Sequence, residues 1–293
     1  MKEWDGFTSA AALLPPPMRE RAMALGADKR ARAEELRLRV GRPASVLLPE
    51  GELPFAPAVT ARELDTVLET ATRASAHTAL TSVASGYVTV RGGCRVGLCG
   101  EAAVSCGEVQ SLRRLSSLSI RVAREATGCA DGVWPYLTRG GFRDTLLLSP
   151  PGGGKTTLLR ELCRLLSDGG TRVSLIDERG EVAAVWEGEP LFDVGARTDV
   201  MTGAPKRAAA LMLLRAMSPQ VLAMDEITSP EDVEVAALAA GCGVLLLATA
   251  HARSVDELRV RPLYRSLLEL GVFRRAVVIG RGGTQREYET EDL

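Results

Sequence analysis

Aromatic residues make up only 4% of the 293-residue chain, and only four of its 36 basic residues are lysine (Lys2, Lys29, Lys155 and Lys206). The first shortage argues against a surface that works by stacking nucleic-acid bases. The second says that most arginines reflect composition, so a retained lysine carries more information than usual. There is no excess charge of either sign: 36 basic against 37 acidic residues leave a net charge of −1, which excludes binding to nucleic acid or anionic lipid through the overall field. The two histidines, His77 and His251, stand far apart, and the six cysteines form no C-x-x-C pair. A zinc site or disulfide framework is therefore not expected, and the thiols read as buried or idle. The longest uncharged run, Val235 to Ala250, carries two glycines and is shorter than the ~20 apolar residues of a spanning helix. The start, Met1-Lys2-Glu3-Trp4-Asp5, is acidic early and has no apolar core of a signal peptide. These absences together predict a cytoplasmic chain with no membrane span.

What is present is an ordinary globular composition, 46% hydrophobic and 25% charged, in a length that suits two domains of about 150 residues each. Residues 1–125 read as a small α+β domain. Met18 to Glu35 looks helical, and Leu36-Arg37-Leu38-Arg39-Val40 alternates like a half-buried strand ended by Gly41-Arg42-Pro43. Thr60 with Glu63 can cap a helix carrying Leu64, Val67, Leu68 and Ala71 on one face. Tyr87–Val90 and Arg95–Leu98 flank Arg91-Gly92-Gly93-Cys94 as a hairpin would. A segment with a short helix around Trp134–Leu137 joins the halves. Residues 126–293 then alternate strand and helix, which predicts an α/β core with a mainly parallel sheet. The expected strands are 144–149, 172–177, 220–225, 244–249 and 275–280. The expected helices are Lys155–Ser167, Pro205–Met217, Pro230–Ala240 capped by Ser229, and one from Val255 with Ser254 and Glu257 as a capping box.

The strongest motif is Ser149-Pro150-Pro151-Gly152-Gly153-Gly154-Lys155-Thr156-Thr157, between an apolar strand and an amphipathic helix. This is the setting of a P-loop: glycines let backbone N–H groups curl around phosphates at a helix N-terminus. Lys155 would reach the β- and γ-phosphates of ATP, and the Thr156 hydroxyl would ligate Mg²⁺. The pattern calls for Gly at 149, where this chain has Ser.

A second strand, Val221-Leu222-Ala223-Met224, ends in Asp225-Glu226, at the carboxyl edge where open α/β sheets place ligands. Asp225 would hold Mg²⁺ largely through water, and Glu226 would orient or deprotonate the attacking water. Asp177-Glu178-Arg179 and Thr249-Ala250-His251 end two further strands on the same edge. Glu178 is the alternative general base, and His251 a γ-phosphate sensor.

At these residues the chain resembles the ATPases of type II and type IV secretion systems and pilus retraction motors. That group joins a P-loop to an acidic box, an acidic Walker B strand and a histidine box. More narrowly, nearly the whole chain resembles the stage III sporulation AA family. The likeness rests on Leu36–Pro43, Gly86–Gly97, Ser119–Val122, Arg197–Val200 and Met217–Val221 leading into Asp225-Glu226-Ile227; Thr228 stands where that family usually has Gly. The resemblance implies a RecA-like P-loop NTPase core and an ATPase that assembles into a ring, a hexamer by this likeness. It would sit on membrane-embedded channel proteins between mother cell and forespore. It also implies arginines supplied to the nucleotide from the N-terminal domain, for which Arg91, Arg95 and Arg121 are the candidates.

Two other functions compete. A nucleic-acid-dependent ATPase is suggested by Arg113, Arg114, Arg121 and Arg124, against which stand the balanced charge and the few aromatics. An ATP-gated scaffold without turnover is the other, and the presence of Lys155, Asp225 and Glu226 counts against it.

Overall fold

The computed structural model describes residues 6–72, 86–90, 94–105, 108–122, 126–185, 188–282 and 285–293. The chain divides into two compact units, Met1–Arg124 and Glu125–Leu293. His77, Cys106, Arg91, Arg124 and the proposed turn at 91–93 lie outside the described residues, as does the side chain of Arg113.

The first unit opens with three short helices, α1 (Gly6–Ala11), α2 (Pro16–Met23) and α3 (Ala27–Arg32). The single helix expected from Met18 to Glu35 is broken at Leu25-Gly26, where the residue before α3 is extended and only one face of α2 is buried. Strands β1 (Glu35–Arg39), β2 (Pro43–Leu48) and β3 (Gly51–Ala58) form an antiparallel meander. Helix α4 (Ala61–Thr72) follows, and β4 (Tyr87–Thr89), β5 (Arg95–Ser105) and β6 (Glu108–Arg121) complete a six-stranded sheet of order β3-β2-β1-β6-β5-β4. Alternation on β1 buries Leu36 and Leu38, as the sequence pattern requires. The Thr60 cap forms reciprocally: the Thr60 N–H donates to Glu63 Oε2 at 2.8 Å and the Glu63 N–H to Thr60 Oγ1 at 3.3 Å. Leu64, Val67 and Ala71 of α4 then enter the core of this unit, with Leu68 half-buried beside them. The alternating pattern that predicts the hairpin ends at Leu98. The strand itself runs on to Ser105 and pairs along its whole length with β6, through three register irregularities.

In the second unit, α5 (Trp134–Thr138) precedes β7 (Thr145–Leu148), α6 (Lys155–Asp168), β8 (Val173–Asp177), β9 (Thr198–Thr202), α7 (Lys206–Ala216) and β10 (Val221–Met224). These are followed by α8 (Pro230–Gly241), β11 (Leu245–Ala250), α9 (Val255–Val260), α10 (Pro262–Glu269), β12 (Arg275–Gly282) and β13 (Gln285–Asp292). The sheet order is β13-β12-β7-β11-β10-β8-β9. All neighbours are parallel except the edge pair β12–β13, which is antiparallel. The sheet is therefore mixed, with two edge strands, β9 and β13, that the strand–helix alternation does not mark. Both are poor in apolar residues, because an edge strand buries less than an interior one.

Period-two alternation sends neighbouring residues of each central strand to opposite faces. Leu146, Leu148, Leu222, Met224, Leu246 and Ala248 meet helices α7 to α10, whereas Leu147, Leu175, Ala223 and Leu247 meet α6 and residues 130–137. The run Val235–Ala250 is the end of α8 with β11, and no described helix is long and apolar enough to cross a membrane. Ser229 caps α8 in a capping box with Asp232. At α9 the Ser254 side chain caps the Glu257 N–H, but Glu257 reaches the Arg253 N–H rather than that of Ser254.

Candidate nucleotide site

Three neighbouring parallel strands, β7, β11 and β10, end on one edge and deliver the functional side chains. After β7 the chain turns sharply through Pro150-Pro151-Gly152-Gly153-Gly154 into α6. Gly154, the residue before α6, has φ +95°, a conformation L side chains rarely adopt. Gly153 is needed for another reason: a Cβ there would lie 2.2 Å from Ser149 Oγ. Ser149 is fully buried, and its hydroxyl donates to the Pro150 carbonyl at 2.8 Å. The departure from Gly at this position is thus accommodated by the Gly at 153.

Lys155 is buried, with its ammonium folded back over the loop. It donates to the carbonyls of Ser149 (3.0 Å) and Pro150 (3.2 Å) and to His251 Nδ1 (2.9 Å). Burial lowers its pKa, and the carboxylates of Asp225 and Glu226 pull it back up. Thr156 Oγ1 donates to Asp225 Oδ2 at 2.9 Å, and Thr249 Oγ1 donates to Asp225 Oδ1 at 2.8 Å. A hydroxyl and a carboxylate in contact at a phosphate loop are the hard oxygen donors that Mg²⁺ takes. Among the described residues there is no group of three or more His, Cys, Asp or Glu that could hold a metal. A Mg²⁺ that draws most of its ligands from water and phosphate needs no such group.

Glu226 is held at every polar group it has. Its φ of +51° is costly for a residue with a side chain, on the order of 1–3 kcal/mol, and persists only where the surroundings impose it. Here its N–H donates to Thr249 Oγ1 at 2.9 Å and its carbonyl accepts from the Lys206 ammonium. Its carboxylate pairs with His251 Nε2 and, at 3.3 Å, with Arg179 Nη1. His251 Nδ1 accepts from Lys155, so the proton that faces Glu226 is on Nε2. The ends of β10 and β11 are tied together by Tyr264 of α10. Its hydroxyl donates to the Ile227 carbonyl at 3.1 Å and accepts from the His251 N–H at 3.4 Å.

The structure thus brings Lys155, Thr156, Asp225, Glu226 and His251 into one connected cluster. It does not bring Glu178 there. Glu178 is exposed, and its carboxylate has no hydrogen-bond or ion-pair partner among the described residues. Asp177 turns inward, 1% exposed, to accept the N–H groups of Glu181, Val182 and Ala183. Burial raises its pKa and those N–H donors oppose the rise. The acidic box therefore braces its own loop, and its third residue, Arg179, is the one that reaches Glu226. In the first unit Arg95 and Arg121 face each other across β5 and β6, with the Arg95 guanidinium 3.8 Å from the centre of the Tyr87 ring.

Sequence reasoning missed Lys206, Thr249 and Arg179. Lys206, 9% exposed, ion-pairs with buried Asp232 at 3.1 Å and thereby fixes the Glu226 carbonyl. The signal was available, since Lys206 is one of only four lysines. Thr228 stands where Gly was expected and needs no positive φ; its N–H donates to Asp232 Oδ2 at 2.8 Å.

The chain is 35% identical over 276 residues to the stage III sporulation protein AA of Bacillus subtilis, covering 92% of this chain and 90% of the relative. Among solved structures it resembles the ATPase DotB of Yersinia pseudotuberculosis, with a TM-score of 0.62 at 14% identity over 95% of this chain and 80% of that one. It also resembles the pilus retraction motor PilT, with a TM-score of 0.58 at 16% identity over 89% of this chain and 79% of PilT. At those identities the likeness is one of fold. The family model described as sporulation stage III, protein AA matches residues 18–289, and the chain belongs to that family.

Proposed function

We propose that this chain binds Mg-ATP and hydrolyses it as a RecA-like, ring-forming motor that energises a sporulation channel complex. The observation that carries the reading is the cluster at the sheet edge. Lys155, the Thr156–Asp225 contact and a fully tethered Glu226 stand at the mouth of a loop that only glycine can form at Gly153 and Gly154. The fold likeness to DotB and to PilT, which was solved with bound ADP, supports it.

Each residue has a task in that chemistry. The loop N–H groups and the α6 N-terminus receive the phosphates, and Lys155 leaves its carbonyl partners to neutralise them. Mg²⁺, when bound through Thr156 and Asp225, screens the phosphate charge. Glu226 exchanges its pairing with His251 for a water molecule, orienting it and accepting its proton. His251, released at both ring nitrogens, is free to face the γ-phosphate. Arg95 and Arg121 add positive charge to the transition state from a domain outside the P-loop unit, an effect worth about 10³–10⁵ in rate for an arginine finger.

Steady-state ATP hydrolysis over a range of protein concentrations tests this reading. Specific activity should rise as the ring assembles, and Arg95→Ala or Arg121→Ala should lose turnover while retaining ATP binding. A monomer at every concentration with full activity would contradict it.

A further inference from the structure

The β12–β13 hairpin supplies a cation that neither the sequence motifs nor the cluster above includes. β12 lies beside β7 on the side opposite β11 and β10, so the hairpin approaches the phosphate loop from the flank away from Asp225, Glu226 and His251. Arg286 sits at the start of β13, and its guanidinium lies against Gly154. A Cβ built on Gly154 would be 2.4 Å from the guanidinium carbon and 2.5 Å from Nη2. Gly154 immediately precedes Lys155, at the positive end of the 14-residue helix α6.

The arm that carries Arg286 is anchored. Tyr288, two residues on and on the same face of β13, donates from its hydroxyl to the Cys129 carbonyl at 2.5 Å, and its ring covers Gly132. Burial raises the Tyr288 pKa, while Arg286 beside it opposes the rise. Among the described residues the Arg286 guanidinium has no carboxylate counter-ion, and it stands where a helix dipole and a lysine already make the potential positive. An anion bound between them would gain from all three.

Resting on the nucleotide-binding reading above, we infer that Arg286 is a phosphate-binding residue for the diphosphate end of the nucleotide, on the flank opposite the hydrolytic residues. Its planar fork grips α- and β-phosphate oxygens while Lys155 serves the β–γ side. Because those oxygens are present in both substrate and product, Arg286 holds ATP and ADP alike and leaves the chemical step to Glu226. The reason the loop carries Gly at 154 is then twofold: the left-handed turn, and the room for the guanidinium.

The test uses the full chain and fluorescent ADP and ATP analogues, with steady-state kinetics beside them. Arg286→Ala should weaken both nucleotides by a similar factor, about 10–100-fold for a lost charge-assisted contact, and raise KM with kcat unchanged at saturation. Arg286→Lys should recover part of the affinity. Thermal unfolding without nucleotide should be close to wild type in both variants, because Arg286 is exposed on an edge strand. If the wild type binds nucleotide and Arg286→Ala binds equally well, this inference falls and the proposed function stands. A fall in kcat with ADP affinity intact would overturn it by moving Arg286 to the γ-phosphate. If the wild type binds neither nucleotide, the proposed function itself fails.

Discussion

Thr249 is the hinge of the tethered cluster, and Thr249→Val isolates its contribution because the change replaces only a hydroxyl by a methyl group. The side chain is fully buried; it donates to Asp225 Oδ1 at 2.8 Å and accepts the Glu226 N–H at 2.9 Å. Valine leaves the carboxylate with its remaining bond from Thr156 and strands the N–H of a residue held at φ +51°. A hydrogen bond to a charged group is worth ~1.5–3 kcal/mol and a stranded buried N–H costs ~1–3 kcal/mol. Partial access of water at this edge favours the lower part of the sum, about 3 kcal/mol. For a unit the size of Glu125–Leu293 that corresponds to a fall in Tm of roughly 6–12 °C. Denaturant and thermal unfolding of wild type, Thr249→Val and Thr249→Ser measure it. The serine variant keeps the hydroxyl and should recover most of the loss, and turnover should follow the same order. A valine variant within about 0.5 kcal/mol of wild type, or a serine variant as unstable as valine, would refute the argument that this hydroxyl holds Glu226 in place.

Lys206→Met should destabilise the second unit by about 3–5 kcal/mol, since it leaves buried Asp232 without its cation, and should slow turnover more than it weakens ATP binding; equilibrium unfolding and a kcat against KM comparison check both halves. Glu161 has its pKa lowered: burial pushes it up, but the bidentate Arg164 and the Gly128 N–H outweigh that. A carboxylate with a lowered folded pKa stabilises the fold above its unfolded pKa of about 4.3 and loses that contribution as the pH falls through the lower folded value. Glu161→Gln should therefore cost about 1–2 kcal/mol at pH 7 and progressively less in acid, which a pH series of unfolding curves reads directly.

The sequence made the interior of the second unit legible because β7, β8, β10 and β11 are short apolar runs bounded by glycine, proline or acids. The phosphate loop was legible because three glycines leading into Lys155 and Thr156, between an apolar strand and an amphipathic helix, suit a bound phosphate far better than a plain turn. The edge strands β9 and β13 were not, since Thr198–Thr202 and Gln285–Asp292 are mostly polar and carry no periodic signal. Arg286 was hidden for the same reason, among arginines whose number reflects composition. The inward turn of Asp177 was equally unreadable. At a strand end, a carboxylate facing water and one facing backbone N–H groups have the same spelling, and only the fold of residues 181–183 separates them. Thr249 and Lys206 act through contacts 24 and 20 residues away in the chain, beyond any local pattern.

The most direct test of the central claim is a paired measurement of ATP binding and turnover on the full chain, with Lys155→Ala and Glu226→Gln beside wild type. Lys155→Ala should lose nucleotide binding, because among the described residues no other ammonium lies against the loop carbonyls of Ser149 and Pro150. Glu226→Gln should bind Mg-ATP as wild type does and hydrolyse it about 10²–10⁴-fold more slowly, the usual contribution of a general base. Unchanged binding in Lys155→Ala, or full turnover in Glu226→Gln with activity lost instead in Glu178→Gln, would contradict the account.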